Sequence, residues 1–199
     1  YLERIYPLLR GQTEFLLDIL VEHPEYGWLV TAPSNSPENF PAWPGNGRFF
    51  DEVSGLFLKA RTMAVGPTMD MQILRDLFTH TIDASRILDV DEEFRTRLIE
   101  MRGRLLPTRV NPKTGRILEW RDDREPHSYG TGQLAALWGL NPGDQITPWG
   151  TPELAAAARK SLEFRKVLWG TWGSGTRMNF WARLGDGEGA LGIGRVGLA

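Results

Sequence analysis

Apolar side chains recur near helical spacing at Leu2, Ile5, Leu8, Leu9, Phe15, Leu16, Ile19 and Leu20. This pattern predicts a helix over residues 2–22, weakened locally by Gly11 and ended by His23-Pro24. Tyr26-Gly-Trp-Leu-Val-Thr31 reads as a short extended piece. It leads into a loop from Ala32 to about Arg48 that carries four Pro and two Gly. A loop of that length inside a compact domain is more often functional than idle. Residues 56–65 either extend or turn. Ile73, Leu74, Leu77, Phe78, Ile82 and Ile87 form an apolar stripe, which predicts a helix from near Thr68 to about Leu88, with Thr68 or Asp70 capping its start.

A third helix opens at Asp91, runs through Phe94, Leu98 and Met101, and stops near Leu106 before Pro107. Asn111-Pro-Lys-Thr-Gly115 is a turn signal, so residues 110–120 read as a hairpin-like excursion that delivers Glu119 at its exit. Gln133 to Leu140 predicts a short apolar helix stopped by Asn141-Pro-Gly143. Thr151-Pro152 opens an Ala-rich helix over 152–166, and a last helix covers 177–184. Gly at 185, 187, 189, 192, 194 and 197 predicts a frayed tail, at about 1 kcal/mol for each Gly relative to Ala. Helices joined by polar loops imply a mainly α chain of stacked hairpins, with the site at the loop ends. No repeat or internal domain boundary divides residues 1–199.

Composition narrows the function classes. Hydrophobic content of 41% supplies a core, and a net charge of −2 with Arg interspersed among Asp and Glu argues against nucleic acid. No run is long and apolar enough to span a bilayer. Tyr1 in place of Met, without a signal-peptide pattern, points to further sequence upstream. Zero Cys excludes disulfides and Cys-based metal sites. His23, His80 and His127 do not form a metal-ligand spacing. Eight Trp is a high count that suits a carbohydrate site, although core packing accounts for most Trp in most proteins.

The candidate chemistry sits in Arg116-Ile-Leu-Glu119-Trp120-Arg-Asp122-Asp123. A hydrophobic neighbour can hold a Glu protonated near neutral pH, as a general acid on a glycosidic oxygen requires. An indole face can cover the apolar side of a sugar ring. The bland alternative is an exposed Glu beside a Trp that packs into the core.

Several ordered segments carry a resemblance. They are Gly27-Trp-Leu-Val-Thr-Ala-Pro-Ser34-Asn-Ser-Pro-Glu38-Asn39, Gly66-Pro-Thr68-Met-Asp70-Met-Gln, Gly115-Arg-Ile-Leu-Glu119-Trp120, Gly139-Leu-Asn-Pro-Gly-Asp-Gln-Ile-Thr147-Pro and Asn179-Phe-Trp-Ala-Arg-Leu-Gly-Asp186-Gly. Their order and intervals resemble the catalytic domain of glycoside hydrolase family 95, the α-L-fucosidases, over nearly the whole chain to Gly187. The resemblance implies an (α/α)6 barrel of helical hairpins, of which about six helices make a part. It implies inverting hydrolysis of terminal α-L-fucose from a fucosylated oligosaccharide or glycan, without metal or organic cofactor. An α-L-galactosidase is the close variant, differing at the sixth carbon. Inversion needs an acid and a base-activated water on opposite faces of the sugar, with roughly 6.5–9.5 Å between carboxyls. By motif position Glu119 matches the general acid and Glu38 a residue that holds fucose hydroxyls. Asn39, Trp43, Asp70 and Trp120 complete the candidate substrate contacts. Loop organisation is the alternative for Glu38, Asn39 and Trp43, and a helix N-terminal charge for Asp70.

The chain also departs from the family pattern. The Asn-bearing and Asp-bearing segments that activate water in the family have no match here, so the chain is expected to carry the acid without the base and to be inactive by itself. The rest of the barrel is then its expected partner. In place of a His-rich segment before Gly139, the chain has Thr131-Gly-Gln-Leu-Ala-Ala136. A non-catalytic carbohydrate-binding remnant is the alternative reading. A helical scaffold for protein partners would show a repeat period, which is absent.

Overall fold

A computed structural model describes residues 1–37, 49–51, 56–58, 64–121, 133–165 and 171–197. Six helices dominate the described residues: α1 (Leu2–Ile19), α2 (Thr68–Leu88), α3 (Glu92–Arg104), α4 (Pro152–Phe164), α5 (Thr171–Arg183) and α6 (Gly187–Gly197). Two small antiparallel hairpins accompany them, β1 (Leu20–Glu22) with β2 (Leu29–Thr31) and β3 (Phe49–Asp51) with β4 (Leu56–Leu58). No helix among the described residues is long and apolar enough to cross a membrane.

The N-terminal half is organised around α2. Its apolar stripe buries Met71, Leu74, Phe78 and Ile82 against Leu17 of α1, Leu29 and Val30 of β2, and Leu98 of α3. Full burial of each such side chain contributes about 1.5–3 kcal/mol. Thr13 meets Thr81 at 3.0 Å, and the Tyr6 hydroxyl donates to Asp91 at 2.8 Å. The start of α1 therefore lies beside the end of α2, and the two helices are antiparallel. The turn into α3 places Asp89 and Asp91 at φ 54° and 52°, a region that Asp tolerates better than most side chains. Arg95 secures this turn by donating to Ser85 Oγ at 2.9 Å and to the Val90 carbonyl at 3.2 Å.

The C-terminal half packs Ala155, Ala157, Ala158 and Leu162 of α4 against Phe180 and Leu184 of α5, with Ile117, Leu137, Leu140 and Ile146. A polar seam joins this core to α2. Gln72 has no exposed surface, and its Nε2 donates to the Ala136 carbonyl at 3.0 Å and to Thr108 Oγ1 at 3.2 Å. Its Oε1 accepts from the Gly139 N–H at 2.8 Å. A Cβ at Gly139 would lie 3.2 Å from the Gln72 carboxamide carbon, so the absence of a side chain there permits the approach. One turn along α2, Asp76 accepts from Trp138 Nε1 at 3.1 Å and from Gln145 Nε2 at 2.6 Å.

Several expectations change: Pro67 stands at the N-cap of α2, with no side-chain cap from Thr68 or Asp70, and the helix expected over 177–184 begins at Thr171. The first helix stops at Ile19, because Leu20–Glu22 pairs with Leu29–Thr31 in register Leu20↔Thr31. Strand pairing there replaces the last helical turn. The Gln133–Leu140 segment has only a 3-10 turn at Ala135–Leu137 followed by further turns; the Leu137, Trp138 and Leu140 N–H groups bond three residues back, and Gln72 takes the Ala136 carbonyl and the Gly139 N–H.

The Gly-rich tail is helical rather than frayed. Asp186 accepts from the Gly189 N–H at 2.8 Å at the start of α6. A Cβ at Gly189 would meet Trp181 at 3.1 Å, and one at Gly194 would meet Met178 at 3.3 Å. The missing side chains thus let α6 lie close on α5. Packing outweighs the low intrinsic helix propensity of Gly.

Two outcomes follow from these contacts. Gln72→Leu leaves the Gly139 N–H and Ala136 carbonyl buried without their partner, at about 1–3 kcal/mol for each group. Urea unfolding is expected to show a loss of at least about 2 kcal/mol with an unchanged m-value. Asp186 is held below its ordinary value of 3.8, first by the Arg159 hydrogen bond and next by the Gly189 N–H. A depressed carboxyl stabilises the fold above its unfolded value and loses that effect as pH falls through its folded value. Asp186→Ala is therefore expected to lower Tm at pH 7, with the gap to the parent closing below pH 3.8. An equal gap at pH 7 and at a pH low enough to protonate the carboxyl in both the folded and the unfolded states would remove this account.

Candidate active site

The excursion over 110–120 forms as its turn signal predicts. Val110 bridges Ile117 antiparallel, Asn111 N donates to Arg116 O at 2.8 Å, and Leu118 N donates to Arg109 O at 2.9 Å. Asn111 Oδ1 accepts from the Lys113 and Thr114 N–H groups at 2.8 and 3.2 Å, closing the turn. Gly115 occupies the positive-φ position at 69°.

Two helix ends then hold the exit of this hairpin. At the start of α2, the Thr68 N–H donates to the Glu119 carbonyl at 3.0 Å, and Thr68 Oγ1 donates to the Leu118 carbonyl at 2.5 Å. From α4, Ser161 Oγ accepts the Ile117 N–H at 3.0 Å. The Arg116 guanidinium carbon lies 3.3 Å from the centroid of the Phe164 ring, at the last residue of α4. The hairpin is thereby tied to the beginning of one helix and the end of another.

The Glu119 side chain lies in the gap between them and is 5% exposed. Ser36 Oγ donates to its Oε1. Arg165, immediately after α4, donates from Nη2 to its Oε2 at 2.8 Å, and its Nη1 donates to the Gln133 carbonyl. A buried carboxyl needs such partners, because water cannot solvate its charged form there. Ser36 belongs to the Ser34-Asn-Ser-Pro segment and lies 83 residues from Glu119. Two motifs far apart in the chain thus meet at one carboxyl.

Asp70 lies in the first turn of α2. Its Oδ2 accepts from Thr31 Oγ1 and Ser34 Oγ, each at 2.6 Å, and so ties β2 and the following loop to the helix. Its carboxylate is engaged by the protein's own hydroxyls at the helix end where acidic residues are favoured.

Trp120 follows Glu119 at the exit of the hairpin. It is 3% exposed, and its indole N–H has no hydrogen-bond partner among the described residues. The ring is enclosed in the structure as described. Trp138 and Trp181 also pack between elements, and His80 is exposed on α2. Glu38, Asn39 and Trp43 lie outside the described residues, as do Asp122, Asp123 and His127.

Ser36 and Arg165 were not legible as site residues. Ser36 immediately precedes the Pro37-Glu38-Asn39 segment, which is its nearest sequence signal. Arg165 follows an ordinary Ala-rich helix, and only the crossing of α4 with the hairpin brings it to Glu119.

The chain is 34% identical over 184 residues to "Alpha-L-fucosidase 2" of Arabidopsis thaliana, covering 92% of this chain and 20% of that protein. It is 30% identical over 146 residues to "Probable alpha-fucosidase A" of Aspergillus niger, covering 72% of this chain and 16% of that protein. The chain thus spans a fifth or less of the length of the curated relatives it matches. The model of the "Glycosyl hydrolase family 95 catalytic domain" matches residues 1–196, and the chain belongs to that family.

Proposed function

We propose that this chain carries the general-acid half of an inverting α-L-fucosidase, with Glu119 as the acid. The observation that supports this most directly is the burial of Glu119 at the junction of the hairpin, the Ser34-Asn-Ser-Pro segment and the end of α4. An exposed surface Glu would have none of these partners. The names of the two relatives support fucose as the sugar, and a terminal α-L-fucosyl residue on an oligosaccharide or glycan is the substrate.

In this mechanism Glu119 gives its proton to the glycosidic oxygen while the bond from that oxygen to the anomeric carbon breaks. A water on the opposite face of the ring attacks that carbon and loses its proton to a base. Glu38 and Asn39, two and three residues beyond Ser36 in the sequence, bind the fucose hydroxyls. An acidic acceptor and an amide suit adjacent hydroxyl groups.

The water-activating Asn and Asp of the family have no counterpart among the motifs matched here, so the 199 residues form part of an (α/α)6 barrel and do not turn over substrate alone. The surface of α1 supports that reading. Leu8, Phe15 and Ile19 are 69%, 60% and 43% exposed, an apolar stripe that further helices of the barrel would cover.

The test is release of fucose from a fucosyl-α-1,2-galactoside by the full-length protein that contains this chain. Glu119→Gln keeps the shape and removes the proton donor, and kcat is expected to fall about 10²- to 10⁴-fold. Undiminished turnover in that variant would remove Glu119 as the acid. Sugar binding without turnover in the full-length parent would instead favour a carbohydrate-binding remnant.

A further inference from the structure

We propose that Arg165, with Ser36, is a positioning residue for the acid: the pair fixes the Glu119 carboxyl plane, and Arg165 compensates the charge that appears on it when the proton leaves. This rests on the reading of Glu119 as the acid. Proton donation converts a neutral carboxyl into a carboxylate at a site with 5% exposure. Water cannot stabilise that charge, so the compensation must come from the protein. Arg165 is placed to supply it, at 2.8 Å from Oε2 with its own side chain only 12% exposed. The interaction strengthens as the carboxylate forms, so it favours the transition state over the ground state.

Geometry supports the same role. A guanidinium is a planar fork, and fixing one arm orients the other. The Arg165 Nη1 arm is fixed by the Gln133 carbonyl, and the Nη2 arm meets Glu119. Ser36 holds the other carboxyl oxygen from a different segment. The acid is thereby gripped on both oxygens by side chains 83 and 46 residues away. A displacement of about 1 Å at a catalytic group can cost about 10²-fold. The net proton path is unchanged: the proton passes from Glu119 to the glycosidic oxygen, and Glu119 regains one from solvent after the product leaves.

Leaving-group dependence separates this role from a merely structural one. A nitrophenyl α-L-fucoside expels a weakly basic group that needs little protonation, whereas a fucosyl-α-1,2-galactoside expels an alcohol that needs the acid. In the full-length protein, Arg165→Gln is expected to lower kcat on the galactoside about 10²-fold and on the nitrophenyl substrate by much less, with KM for both little changed. Arg165→Lys, which keeps the charge without the fork, is expected to recover part of the loss and decides the matter if the Gln variant fails to fold. Ser36→Ala is expected to show the same selectivity at smaller size. Equal losses on both substrates, or none on either, would overturn the positioning role while leaving Glu119 untouched. A Glu119→Gln variant with full turnover would instead overturn the underlying assignment.

Discussion

The fold depends on one buried amide. Gln72 sits in the first third of α2 with no exposed surface, between an N-terminal core built on α2 and a C-terminal core built on α4 and α5. An unsatisfied amide there would be costly, so its bonds to Thr108, Ala136 and Gly139 fix how the two cores meet. Asp76 repeats the arrangement one turn along, with Trp138 and Gln145. Apolar contacts alone would allow α2 to slide or rotate by small steps. Directional bonds at two successive turns oppose that movement.

The position of the Glu119 site follows from this register. The start of α2 supplies Thr68 to the hairpin backbone, and the C-terminal core brings Ser161, Phe164 and Arg165 to its other side. Asp70 then anchors Ser34, and Ser36 reaches Glu119 two residues farther on. The carboxyl is reached by Ser36, from the segment that Asp70 anchors, and by Arg165, at the end of α4. Such anchoring fits the acid role proposed for Glu119, which requires a position held to a fraction of an ångström.

Most regular elements were legible from sequence. The stripe through Leu74, Phe78 and Ile82 gave α2 its core face because one amphipathic face is a local property of the chain, whereas Ile87, counted in that stripe, is exposed. The 110–120 hairpin was legible because Asn111 and Gly115 close their turn with their own side chain and φ. What failed was non-local. Leu20–Glu22 has helical periodicity but gains a strand partner in Leu29–Thr31. The six glycines of the tail weaken an isolated helix, yet Gly189 and Gly194 permit close packing on Trp181 and Met178.

The same division holds at the site. Sequence by itself determined the family resemblance, the helical class and Glu119 as the residue to watch, because motif order and side-chain chemistry are carried by the chain alone. Tertiary structure alone decided that Trp120 is enclosed, that Asp70 ties down Thr31 and Ser34, and that Ser36 and Arg165 grip Glu119. Those facts depend on which side chains share a buried volume. Burial makes a polar partner obligatory, but the packing of distant helices selects which partner is within reach.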